Sequence, residues 1–264
     1  VDTTPKPDTT RDRVALLSRV VEMEILPRLA LVHGGGRRSA VGATTEREAE
    51  ELVCLLLQQE AAIAIAFLTT LRDRGIATEG LFLGIVSEAA RRLGILWEED
   101  RCDFMQVSIS MGRLQQVVRA MSPEFQVSCL QRPQPQRVLL VPAPGGQHTF
   151  GLVLLAEFFC RAGWQVSGGP ASVAEDFSAS VRKNWFDVIG FSIGSERQME
   201  SLASCIHAVR RASRNRDIGV MVGGPLFMQR PDLPVRVGAD AAAHDAAAAV
   251  LAANGLLALR LNDV

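Results

Sequence analysis

From Arg137 onward, short apolar runs alternate with helix-length segments, and this alternation limits the fold more than any other feature of the chain. Arg137–Val141 is a continuous apolar strand and Phe150–Ala162 a helix. Gln165–Ser167 is a strand, Ala174–Asn184 a helix, Asp187–Ser192 a strand and Arg197–Arg211 a helix. Gly219–Val222 is a strand, and Ala239 begins a last strand or turn before the Ala-rich helix Ala246–Ala253. Strands that alternate with helices predict a parallel sheet. Strands apolar on both faces suit a sheet covered on both sides. The expected fold class over residues 137–264 is therefore α/β, a Rossmann-like (flavodoxin-like) parallel sheet. Ligands on such sheets bind at the carboxyl ends of the strands.

The first half has a different rhythm. Residues 1–10, rich in Thr, Pro and Asp, read as a disordered tail. Val14, Leu17, Val20, Val21 and Leu29 outline a first helix, with Pro27 near its end and His33-Gly34-Gly35-Gly36 as its stop. Thr45 with Glu48 predicts a capping box that opens a second helix running to about Arg74 and Gly75. A third helix is expected over Thr78–Leu93, ending at Gly94, and a fourth over Asp103–Met121, ending before Pro123. Residues 11–130 thus read as a cap resembling a four-helix bundle, and residues 131–136, with their Gln and Pro, as a linker.

Composition narrows the function. The chain has 264 residues, 48% of them hydrophobic, enough for one large domain or two modest ones. A net charge of −1 argues against binding nucleic acid by phosphate neutralisation. The five cysteines, scattered without a CxxC pair, make neither a disulfide framework nor a zinc site. The polar start and the absence of a long uninterrupted apolar run point to the cytoplasm and away from the membrane. With no tyrosine in the chain, tyrosine-dependent chemistry is excluded.

Small residues crowd the expected strand ends: Pro144-Gly145-Gly146-Gln147-His148-Thr149-Phe150-Gly151 after the first strand, Ser192-Ile193-Gly194 after the third and Gly223-Gly224-Pro225 after the fourth. A dinucleotide site fits badly. Gly145, Gly146 and Gly151 lack the GxGxxG spacing, and Ser167-Gly168-Gly169 stands where an acidic residue would hold a ribose. There is no GKS or GKT for a P-loop. A phosphoryl-accepting receiver needs clustered aspartates after its first and third strands, where this chain has Gly145-Gly146 and Ser192. What remains is His148, flanked by glycines. A neutral imidazole there can ligate a transition metal or simply make structural hydrogen bonds, and the residue alone leaves both open.

The arrangement resembles the cobalamin-binding domain family, whose fingerprint is D-x-H-x-x-G, then S-x-L, then G-G. His148 and Gly151 fall on the histidine and last-glycine places, and residues 152–191 and 195–222 make gaps close to the family's. Gly238-Ala239-Asp240, followed by Asp245, resembles the closing loop and helix, so the likeness covers roughly residues 137–255. It implies a cobalamin held by Gly146, Gln147, His148, Thr149, Phe150, Gly151, Ser192, Gly194, Gly223 and Gly224, with His148 as the lower cobalt ligand in place of the cofactor's benzimidazole. The displaced nucleotide tail would thread past Ser192 and the paired glycines, and a larger side chain at 223 or 224 would fill that slot. An ordinary strand-to-helix turn also accounts for the two glycines. The chain departs from the pattern at Gly146, in the aspartate's place, and at Gly194, in the leucine's. A pocket without the charged partner suits binding better than cycling cobalt through catalytic states.

Gly94-Ile95-Leu96-Trp97-Glu98-Glu99-Asp100, then Phe104 and Met111-Gly112-Arg113-Leu114, resembles the helical module that precedes such domains. The resemblance makes Trp97 a candidate shield for the upper corrin face; packing in the bundle core is the alternative. His33 is a candidate upper ligand to cobalt, or a favourable charge at a helix C-terminus. Arg210, Arg211, Arg214 and Arg216 form a basic cluster that reads as a solvated helix end.

The run Pro144–Trp164 is similar to the AerR/PpaA antirepressors and to the C-terminal tetrapyrrole-binding region of AppA, and Glu24–Leu29 looks like the amino-terminal part of the same group. This resemblance implies a protein that is not an enzyme, that binds cobalamin (hydroxocobalamin, or the adenosyl or methyl form) in a light-dependent way, and that contacts a transcriptional repressor of the PpsR/CrtJ type. Direct DNA binding is not expected, since no helix-turn-helix or basic stripe is evident. Two alternatives stay open: a heme-binding redox or light sensor on the same fold, and a corrinoid carrier protein for methyl transfer.

Overall fold

The computed structural model describes residues 35–127, 129, 134–146, 149–169, 177–224, 226, 227, 230 and 232–261, with side chains described from residue 45 to 259. The tail over residues 1–10, the helix expected near Val14–Leu29, His33, Gln147, His148 and linker residues 131–133 lie outside these. The chain divides into two compact units, Val1–Glu48 and Ala49–Val264. The described residues of the first, 35–48, are all helical.

Helix α1 spans Gly35–Gln58. The expected stop at the glycines and restart at Thr45 do not form: Gly35 and Gly36 lie within the helix and Thr45 is interior to it. A glycine weakens a helix by about 1 kcal/mol without forbidding it. The run expected to continue to Arg74 instead breaks after Gln58, and α2 is Ala61–Asp73. Ser110 Oγ and Arg113 Nη1 both donate to the Leu56 carbonyl, at 3.1 and 2.6 Å, taking up an acceptor that a continuing helix would use.

Thr78–Gly80 opens the next helical stretch, Leu81–Val86 is a π-helical turn, and Ser87–Glu98 is α3. It passes through Gly94, where an end was expected. The stop comes at Asp100, which takes a left-handed φ of 55° while Arg101 N–H donates to Leu96 O at 2.8 Å. Helix α4, Phe104–Gln126, opens on a reciprocal capping box between Asp103 and Gln106. It runs through Pro123, beyond its expected end at Met121; the lost N–H falls on an exposed face, where water can replace it.

The second half follows the expected alternation closely. It runs β1 Arg137–Pro142, α5 Phe150–Arg161, β2 Gln165–Gly168, α6 Phe177–Lys183, β3 Val188–Ser192, a 3-10 turn Glu196–Gln198, and α7 Met199–Ala212. There follow β4 Gly219–Gly223, α8 Leu233–Arg236, β5 Ala241–Ala243 and α9 Ala246–Leu261. All strand pairs are parallel, in the order β2-β1-β3-β4-β5. This is the flavodoxin-like order, whose switch point lies between β1 and β3.

The period-two pattern of the strands separates two cores. Leu139, Val141, Ile189, Phe191, Val220 and Val222 face α6 and α7. Val138, Leu140, Val188 and Met221 face α5 and α9, together with Trp164. A third cluster fills the helical half with Leu52, Leu56, Leu68, Phe82, Ile85, Leu93, Leu114 and Phe125, and takes in Phe150, Leu154 and Phe158 of α5. Helix α5 is therefore buried on two sides: Leu152 and Phe159 meet the sheet, and Phe150, Leu154 and Phe158 meet the helices.

Candidate functional site

The parallel register sets Pro142, Ser192 and Gly223 side by side at the carboxyl end of the sheet. Backbone bonds extend the pairing beyond the strands: Ala143 N–H donates to Ser192 O at 2.8 Å, and Ile193 N–H to Gly223 O at 2.9 Å. The loops after β1, β3 and β4 thus leave the sheet from one rigid edge, at the switch point where doubly wound sheets bind ligands.

Each loop has a distinct local chemistry. After β1, Gly145 has a φ of 74° and Gly146 is buried. A Cβ at Gly146 would lie 2.8 Å from Ala143 O and 3.1 Å from Gln198 Nε2. The place that the family fills with aspartate has no room for a side chain in this protein. Thr149 precedes the first turn of α5, Phe150 is buried in the helical core, and Gly151 is exposed. A Cβ at Gly145 or Gly151 would meet no described atom within 4 Å. His148 and Gln147 sit between these anchors in sequence and lie outside the described residues.

After β3, Ser192 is half-buried and Gly194 exposed. After β4, Gly224 has a φ of 131°, and a Cβ there would lie 2.1 Å from Ile193 O. At Gly224 the first obstacle to a larger residue is thus the protein's own backbone. At Gly223 it is Ala243 O at 3.3 Å, a tight contact without strain in φ. Arg230 joins the two loops by pairing with Asp232 at 3.1 Å and reaching Glu196 at 3.9 Å. Its guanidinium hydrogen bond holds the Asp232 carboxyl below the usual carboxylate range.

One participant was missed in the sequence. Gln198 accepts from Gly194 N–H and Ser195 N–H, both at 3.2 Å, and its Nε2 reaches Pro144 O at 3.5 Å. It links the loops after β1 and β3. The signal was present as Ser195-x-x-Gln198, a capping-box pattern that the structure realises with both reciprocal bonds.

In the helical half, Trp97 lies on the last turn of α3 and is 45% exposed, so it does not pack in the bundle core. Phe104, Met105 and Ile109 at the start of α4 are exposed as well. Trp164 is buried, edge-on to Phe159. Trp185 is exposed and donates to Asp187 at 3.1 Å. His207 is exposed on α7, and His244 is exposed beside Asp245. Of the basic cluster, Arg210 is not merely solvated: it bonds Gly238 O at 2.9 Å and Asp240 at 2.7 Å, fastening α7 to the approach to β5. None of the described cysteines forms a disulfide, and among the described residues no helix is long and apolar enough to cross a membrane.

Fold and loops together define a doubly wound α/β domain, its loops after β1, β3 and β4 leaving one edge of the sheet, joined through α5 to a helical half. Residues 136–253 match the family model of the B12 binding domain. The chain is 29% identical over 174 residues to an uncharacterized 20.5 kDa protein in the bchF-crtJ intergenic region of Rhodobacter capsulatus, a match covering 66% of this chain and 90% of that one. In fold it is similar to the monomethylamine corrinoid protein of Methanosarcina barkeri, with a TM-score of 0.64 at 17% identity over 77% of this chain and 96% of that one.

Proposed function

We propose that the protein holds a cobalamin over the loops at the ends of β1, β3 and β4, with His148 as the lower ligand to cobalt. On this reading it is a light-responsive antirepressor that acts by contact on a transcriptional repressor of the PpsR/CrtJ type. The match of residues 136–253 to the B12 binding domain carries the first part. The absence of any described atom within 4 Å of a Cβ at Gly145 or Gly151 supports it, because a bulky ligand needs bare backbone on the side it enters.

Bound cobalamin would supply a light-sensitive bond at the upper cobalt position. The chain's own residues do the rest. His148 would hold the cofactor, with Trp97 as the candidate cover and His33 as a candidate upper ligand. Phe150 ties the start of α5, two residues from His148, into the helical core. A ligand shifts a conformational equilibrium only by contacting the two states differently, and cover from the helical half supplies that difference. The closed space at Gly146 favours binding over catalytic cycling, since no carboxylate can stand there to tune the histidine.

Mixing the cobalamin-loaded protein with a purified PpsR/CrtJ-type repressor tests the regulatory part. Co-elution should differ between dark and light for the wild type and lose its light dependence in His148→Ala. Complex formation unaffected by both cofactor and light contradicts the antirepressor reading. Stoichiometric heme uptake without cobalamin would favour the heme sensor, and methyl transfer to a free acceptor would favour the corrinoid carrier.

A further inference from the structure

We propose that Gln198 is the positioning residue of the His148 loop, its carboxamide occupying the space into which a side chain at position 146 would project. This rests on the reading of His148 as the cobalt ligand.

The geometry begins at Gly146. This residue is buried, and the direction its Cβ would take ends 3.1 Å from Gln198 Nε2. The bare glycine and the long carboxamide are therefore complementary. Gln198 cannot present its amide group the other way round. Two backbone donors, Gly194 N–H and Ser195 N–H, converge on one side of the group at 3.2 Å each and require its oxygen there. That leaves Nε2 as the atom facing the loop after β1, where Pro144 O lies at 3.5 Å.

Gln198 itself stands on a firm base. It closes the 3-10 turn Glu196–Gln198 through the reciprocal capping box with Ser195. Helix α7 follows at once and is buried along Leu202, Ile206 and Val209. The far end of the His148 loop is held independently, because Phe150 is buried in the helical core and Leu152 N–H donates to Thr149 O at 3.1 Å. Gln198 is thus the side-chain hold on Pro144 and Gly146, where the loop leaves β1. Support of a metal-binding histidine by neighbouring groups changes metal affinity by about 10–100-fold.

The experiment compares wild type, Gln198→Ala and Gln198→Glu as full chains. Gln198→Glu keeps acceptors for Gly194 and Ser195 but turns the donor facing Pro144 into an acceptor, so it tests the hold on the β1 loop without removing the β3 loop's partner. Two readouts are taken: amide hydrogen exchange over residues 144–151 without cofactor, and the rate at which the imidazole-ligated visible spectrum develops with hydroxocobalamin. Both variants are expected to exchange faster over 144–151 and to acquire the imidazole spectrum more slowly than the wild type. Unchanged exchange, or faster exchange with an unchanged ligation rate, overturns the proposal. If the wild type takes up no hydroxocobalamin, the cobalamin reading fails by itself, and so does Gln198's role in ligation, while the exchange data still decide whether it holds the loop.

Discussion

The ring of Phe158, on α5, packs against that of Phe125, on α4, with centroids 4.9 Å apart. Phe82 continues the stack, 5.0 Å from Phe125, and Arg161 lies over the Phe125 face at 4.4 Å while pairing with Glu79 at 3.0 Å. The helical half and the α/β half are joined by a hydrophobic core and not by a linker alone. Phe158→Ala should cost about 3–5 kcal/mol. With Trp97 and Trp185 replaced by Phe, so that fluorescence reports buried Trp164 alone, the helical circular dichroism and the fluorescence should be lost in urea in one transition. Loss of the helical signal well before the Trp164 signal would contradict a shared core.

Gly224 and Gly151 should respond oppositely to alanine. At Gly224 the left-handed φ and the Ile193 carbonyl oppose any side chain, so Gly224→Ala should destabilise by at least about 1–3 kcal/mol. At Gly151, on α5, open space and helical backbone tolerate Ala, which should leave melting unchanged or raise it slightly. A bulkier Gly151→Leu should still fold but weaken cobalamin uptake. Thermal melts separate the two positions, and equal loss of stability at both would contradict the assigned geometry.

Glu88 carries a pH dependence of known sign. Arg91 first, and Arg92 next, hydrogen-bond its carboxylate at 2.5–2.8 Å and hold it below the ordinary glutamate range. A carboxyl lowered on folding contributes stability that is fully present above its unfolded value of about 4.3 and is lost as the pH falls through the folded value. Glu88→Gln should therefore be less stable than wild type by roughly 0.5–1 kcal/mol at pH 7, and the gap should close in acid. Urea titrations at the two pH values check this; a gap that widens in acid would contradict it.

What could be read from the sequence followed from chain periodicity. Val138–Val141 and Val188–Phe191 are apolar on both faces and alternate with helices, and the strands fell where this pattern put them. The helix ends were harder to read. Gly94 looked like a stop, but a single glycine inside a helix breaks nothing by itself. The real stop is the left-handed Asp100, and nothing local marks that residue. The break after Gln58 depends on Ser110 and Arg113, which are distant in sequence. In the candidate site, the small residues at the strand ends were visible because they cluster in three loops. Gln198 was not, since its role appears only when the loops after β1 and β3 are brought together. The reason for glycine at 146 and 224 was hidden for the same cause: the atoms that exclude a side chain belong to Gln198 and Ala143 in one case and to Ile193 in the other.

The most direct test of the central claim is a visible-spectrum titration of the full chain with hydroxocobalamin, repeated with His148→Ala. The wild type is expected to bind one cobalamin with an imidazole-ligated spectrum, and His148→Ala to lose that spectrum while retaining its fold. An identical spectrum in both proteins, or no uptake by the wild type, would contradict the account.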